Sequence, residues 1–146
     1  MGGELRQEHD SMGCVEVPAE ALWGAQTQRS CNNFAIGNQR IPAELIHALA
    51  RIKGCCAEVN GRHELLTAQQ VQAIERAAAA IADGAHDNQF PLSIWQTGSG
   101  TQTNMNVNEV ISNIAAKDAG CPLGSNDPVH PNNHVNRSQS TNDAFP

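Results

Sequence analysis

The sequence predicts a mainly α domain. Three observations carry that reading: three separated helical periodicities, two polar stretches with no period, and an apolar content built from Leu, Ile, Val and Ala. Residues 1–40 read as loop-rich, with one short extended run at Cys14-Val15-Glu16-Val17 that Pro18 stops. Pro42 then opens a helix in which Leu45, Ile46, Leu49, Ile52, Cys56 and Val59 recur at three- and four-residue steps until Asn60-Gly61. A second helix begins at Thr67, whose hydroxyl is placed to cap while Gln70 returns the bond. Val71, Ile74, Ala78 and Ile81 form its stripe, and Asp83-Gly84 stops it. A third follows Gly100, carrying Met105, Val107, Val110, Ile111 and Ile114 to a stop near Gly120-Cys121-Pro122. These stripes are expected to be core. Residues 86–100 and 123–146 are the polar stretches.

A chain of 146 residues suffices for one domain with a hydrophobic core. Charged residues make up only 16%, and Asn, Gln, Ser and Thr crowd the stretch from Gln96 to Asn142 instead. A net charge of −6 with no Lys/Arg cluster argues against a nucleic-acid partner. No apolar run is long enough to span a bilayer, so no membrane partner is expected. Met1 to Arg6 shows neither the apolar stretch of a secretory signal nor a myristoylation pattern. The five cysteines, odd in number and irregularly spaced, suggest a reducing, intracellular setting.

The string Trp95-Gln96-Thr97-Gly98-Ser99-Gly100-Thr101-Gln102-Thr103-Asn104-Met105-Asn106 is the most informative. Its glycines let backbone approach a ligand, its hydroxyls surround the turn, and a helix starting next would favour an anion there. The same residues also suit a turn whose hydroxyls merely cap that helix. Spacing leaves both readings open. In His130-Pro131-Asn132-Asn133-His134 the two imidazoles are four apart, but Pro131 drives His130 out of the helical region. No metal site is therefore expected from that pair.

Read literally, Trp95 to Asn108 resembles the first conserved block of class II fumarases. Ser138-Gln139-Ser140-Thr141-Asn142-Asp143 resembles the second, and Leu22-Trp23-Gly24-Ala25-Gln26-Thr27-Gln28-Arg29-Ser30 the N-terminal string. Asp87 to Phe90, with Pro91, also fits, and the likeness runs from about Asp10 to Pro146. Aspartate ammonia-lyases share the plan but usually carry Gly-Gly-Ala-Gly-Thr after the Gln, so Thr97 and Ser99 favour the fumarase side.

The resemblance implies the N-terminal helical domain of the fumarase/aspartase-like fold over residues 1–137. It makes 138–146 the start of a central helical-bundle domain that is otherwise missing. It further implies reversible hydration of fumarate to (S)-malate with no metal or organic cofactor, in a homotetramer. The expected location is the cytoplasm, or the mitochondrial matrix in a eukaryote. By matching position, Thr97, Ser99, Thr101, Ser140, Thr141 and Asn142 bind substrate. His130, Asn132 and Asn133 match a second anion site, although Asn133 stands where Asp is usual and Asp127 where a basic residue is common. The family's His-Thr-His segment and its mobile Ser-Ser loop do not occur in this sequence. No catalytic residue is therefore assigned, and the chain alone is expected to be inactive. The rival expectations are a piece of an aspartase or other lyase of the superfamily, and a stand-alone binding domain. The end at Ala144-Phe145-Pro146, with no helix to anchor it, reads as an interruption.

Overall fold

The computed structural model describes residues 3–145. An antiparallel hairpin comes first, β1 (Leu5–Asp10) and β2 (Gly13–Pro18), paired from Leu5↔Pro18 to Asp10↔Gly13. Five helices follow: α1 (Ala25–Asn33), α2 (Ala43–Arg62), α3 (Ala68–Ala82), α4 (Thr101–Asp118) and the short α5 (Thr141–Ala144). A 3-10 turn at Asp87–Gln89 and a π turn at Pro131–Val135 lie within the two polar stretches. None of the described helices is long and apolar enough to cross a membrane.

The mainly α reading and the three long helices stand, α2 reaching Arg62 rather than Asn60. Thr67 and Gln70 make the expected reciprocal cap, with Gln70 N–H to Thr67 Oγ1 at 3.2 Å and Thr67 N–H to Gln70 Oε1 at 3.0 Å. Residues 1–40 were expected to be mostly loop, yet they hold β1 and α1. The inward face of β1 is polar, which hides the strand from any hydrophobic alternation. Arg6 there donates to the carbonyls of Pro18, Ala19, Ala21 and Trp23, and Asp10 accepts two bonds from Arg29 of α1. The chain end, expected to lack a helix, carries α5.

α4 is the hub. Every residue from Thr103 to Ala116 is buried, so apolar and polar faces alike are enclosed. Val107, Val110, Ile111 and Ile114 meet Ile74, Ala78 and Ile81 of α3 and Ile46, Leu49 and Ala50 of α2 in one core. Three polar residues of α4 bind loop backbone instead. Asn106 donates to Gln89 O, Ser112 to Val129 O, and Asn113 both donates to Leu22 O and accepts from Gly124 N–H. Each such bond contributes about 1 kcal/mol, and an enclosed helix with these partners ties the long loops to the core.

Glu109, also on α4 and 5% exposed, caps α1 from outside. It accepts the amides of Gly24, Gln26 and Thr27 at 2.9, 2.8 and 3.1 Å. Burial pushes its carboxyl above the usual range, while these donors hold it down. A Cβ on Gly24 would meet Glu8 Oε2 at 2.7 Å and Glu109 Cδ at 3.0 Å, so only glycine lets both carboxylates close on the start of α1.

The α2 stripe differs from expectation. Leu45, Ile52 and Val59 are exposed, at 38, 40 and 50%. The buried face is Ile46, Leu49, Ala50, Lys53, Ala57 and Asn60. Two polar residues enter it because the turn before α5 supplies partners: Asn60 donates to Arg137 O at 3.0 Å, and Lys53 reaches Asn136 and Gln139.

Candidate functional site

The Thr97–Thr101 loop ends in Gly100, which adopts the left-handed region at φ +69° as N-cap of α4. The hydroxyls do not cap this helix. Gln96 does so, its Oε1 accepting Thr103 N–H and Thr103 Oγ1–H, both at 3.1 Å. The loop hydroxyls are therefore not consumed by capping, although Thr97 Oγ1 donates to Gln102 Oε1. Thr97, Ser99 and Thr101 are exposed, with their oxygens in a chain, Thr97 to Ser99 at 3.4 Å and Ser99 to Thr101 at 3.0 Å. The amides of Thr101 and Gln102 have no partner among the described residues. A helix of this length presents partial positive charge there, so free amides and hydroxyls together suit a carboxylate.

The Ser140–Asn142 segment is brought to the same end of α4. Asn104, one turn into the helix, donates to Thr141 Oγ1 at 3.1 Å. The ring of Phe145 covers Gly100, where any Cβ would collide with it. Ser140 is the N-cap residue of α5 without a side-chain capping bond; Ser140 and Asn142 are exposed and Thr141 is half-buried. Residues about 40 apart in sequence thus share one surface of hydroxyls and an amide.

Behind Thr141 lies a polar network absent from the sequence reading. Asn136 Oδ1 accepts from Lys53 Nζ at 2.9 Å, Asn104 Nδ2 at 3.1 Å and Asn108 Nδ2 at 3.2 Å. Gln139 Oε1 accepts a second bond from Lys53 at 2.8 Å. Lys53 is fully buried, and desolvation pulls its pKa down to about 8. The sequence signal available was a lysine on the apolar face of α2, four residues after Leu49. Its partners, 83 and 86 residues away, carry no such signal.

His130, Asn132 and Asn133 form a separate place. His130 is extended before Pro131, at ψ 135°, and its Nδ1 accepts the amides of Asn132 and Asn133 at 3.1 and 3.2 Å. His134 Nδ1 accepts His130 N–H at 2.9 Å. Burial lowers the pKa of both rings, so both stay neutral acceptors at neutral pH. His130 and Asn132 line a cavity of about 210 Å³ whose walls include Glu8, Asp10 and Glu109. Asn133 does not line it.

The family model described as "Lyase" matches residues 13–146, and the chain belongs to that family. Within it, the chain is similar to class II fumarate hydratases. It is 74% identical over its whole length to the "Fumarate hydratase class II" of Parasynechococcus marenigrum (strain WH8102), of which it covers 31%. A recombinant class II fumarase from Schistosoma mansoni matches 97% of this chain at 45% identity with a TM-score of 0.93, this chain covering 30% of it. A "fumarate lyase:delta crystallin" from Brucella melitensis in native form matches 97% at 39% identity with a TM-score of 0.94, this chain covering 34% of it. The chain thus spans about a third of the length of these relatives.

Proposed function

We propose that this chain forms one substrate-binding wall of an enzyme that reversibly hydrates fumarate to (S)-malate. The observation that carries the reading is the convergence of Thr97, Ser99 and Thr101 with Ser140, Thr141 and Asn142 at the N-terminal end of α4. Neutral donors of this kind suit a reaction whose intermediate gathers charge on a substrate carboxylate. They strengthen as that charge develops and do not hold the ground state in an over-tight ion pair. Proton removal and departure of hydroxide need a base and an acid. The sequence segments that supply them in the resembling family are not in this chain, so we assign no catalytic residue here and expect the chain alone to be inactive.

The same reading treats residues 138–146 as the start of a second, helical domain, supported by α5 following the turn at Ser138. It also includes a homotetramer working in the cytoplasm without metal or organic cofactor, supported by the likeness to bacterial class II fumarate hydratases. His130, Asn132 and Asn133 serve as a second anion site when His130 is protonated, which releases two amides and adds a positive charge. At neutral pH the neutral His130 ring holds both amides, so neither is free for an anion.

The test is a chimera in which this chain replaces the matching third of the Parasynechococcus marenigrum relative. It should hydrate fumarate and leave aspartate untouched, whereas the isolated chain should do neither. Turnover of aspartate by the chimera, or of fumarate by the isolated chain, would overturn the reading.

A further inference from the structure

The buried cation behind the site has no counter-charge among the described residues. Among the described residues no carboxylate lies within ion-pair distance of Lys53 Nζ, and its hydrogen bonds go to two amide oxygens. Burying an ammonium in this way is expensive, and a lysine used only to fill a core is readily replaced by an apolar side chain of similar length. The partners it reaches explain its position. Asn136 and Gln139 bracket the turn that contains Ser138, a non-glycine residue held at φ +61°. Asn136 Nδ2 donates to Gln139 O at 3.2 Å, and Gln139 Nε2 donates back to Val135 O at 2.9 Å. The turn is therefore closed on itself and bolted to α2 by Lys53, with Asn60 adding a bond to Arg137 O. Immediately after it come Ser140, Thr141 and Asn142.

The contact continues to the site. Asn104 Nδ2 bridges Asn136 Oδ1 and Thr141 Oγ1, both at 3.1 Å. Lys53, Asn136, Asn104 and Thr141 thus form an unbroken hydrogen-bonded series from the middle of α2 to a substrate-binding hydroxyl. The titratable neighbour that acts on Lys53 is Cys56, on its own helix; the groups that bond it from the turn are the neutral amides of Asn136 and Gln139, and Asn136 is bonded in turn by Asn104 and Asn108 of α4.

We propose that Lys53 is a positioning residue that holds the Ser140–Asn142 segment in its binding geometry through Asn136 and Gln139, an inference that rests on the substrate reading above. Lys53 does not touch substrate. Its removal frees the turn, and Ser140, Thr141 and Asn142 lose alignment with the Thr97–Thr101 hydroxyls.

The experiment uses the full-length chimera carrying Lys53→Met, which keeps side-chain length and removes charge and donors. KM for fumarate should rise about tenfold, as the loss of both Lys53 bonds loosens the segment that holds substrate, with a smaller change in kcat. A core-filling role would leave KM unchanged and move only the thermal midpoint, and that result would overturn the proposal. If Lys53→Met does not fold, Lys53→Gln decides the matter, since it removes the charge and shortens the reach toward Asn136 and Gln139 while leaving the bonds inside the turn intact. A raised KM supports the proposal and an unchanged KM rejects it. An unsubstituted chimera that fails to hydrate fumarate would reject the substrate reading itself, and this inference with it.

Discussion

The two loops that precede and follow α4 are both polar and differ in what they offer a ligand. In the Thr97–Thr101 loop a side chain from outside, Gln96, caps the helix, so the hydroxyls bond only to one another and to Gln102 at the surface, and two amides remain without a partner among the described residues. In the His130–Asn133 loop the neutral imidazole of His130 takes the amides of Asn132 and Asn133, and Glu8, Asp10 and Glu109 line the adjoining cavity. Donor-rich sequence marks a loop able to bind an anion. Whether it does so depends on where its acceptors come from.

The largest effect is expected at Glu109 in the cavity wall. Glu109→Ala removes the acceptor of three buried amides at the start of α1 and should destabilise the domain by about 3 kcal/mol or more, read as a lower denaturant midpoint. Glu109→Gln should recover part of that loss, since it keeps one acceptor oxygen. A neutral result for the alanine variant would mean the wall is not structural.

Gly100→Ala comes next. The left-handed backbone costs a side chain about 1–2 kcal/mol, and the new Cβ drives Phe145 away. The chimera should therefore lose stability by about that amount and most of its fumarate turnover, because the two hydroxyl segments separate. Full turnover in a folded Gly100→Ala variant would show that their apposition is not needed.

His130→Ala should cost about 0.5–2 kcal/mol, the usual value of a lost helix-start acceptor, measured by thermal denaturation. The pH dependence has a definite sign. Burial lowers the His130 and His134 pKa values, so the unfolded chain binds protons more readily than the folded one. The stability they contribute is complete above the ordinary imidazole value and is lost as pH falls through the lowered folded-state values. A thermal midpoint flat across that window would contradict the assignment of His130 as a neutral acceptor.

The smallest effect is the most direct. In an amide NMR titration of the chain with sulfate at neutral pH, Thr101 and Gln102 should shift while Asn132 and Asn133 stay fixed. On acidification the second pair should begin to respond. Shifts at Asn132 and Asn133 at neutral pH would erase the distinction between the loops.

Local chemistry made much of this molecule readable from its residues. The periods of α3 and α4, the Thr67–Gln70 cap and the glycine stop at Gly84 involve neighbours within a turn or two, so the sequence by itself determined them. The hydroxyl-rich strings were legible as candidate site residues for the same reason. The hairpin strand β1, helix α1 and the rotated burial of α2 were not, because each depends on polar partners distant in the chain: Arg6 on the carbonyls of Pro18 to Trp23, Glu109 on the amides of Gly24 to Thr27, Lys53 on Asn136 and Gln139. Hydrophobic periodicity has no term for a buried charge that is hydrogen-bonded across the fold. Only the tertiary structure decided which polar residues are buried, which loop donors are already used, and that Thr141 meets Asn104 at the end of α4. Those outcomes follow from hydrogen-bond satisfaction in the interior, a property of the assembled chain and not of any segment of it.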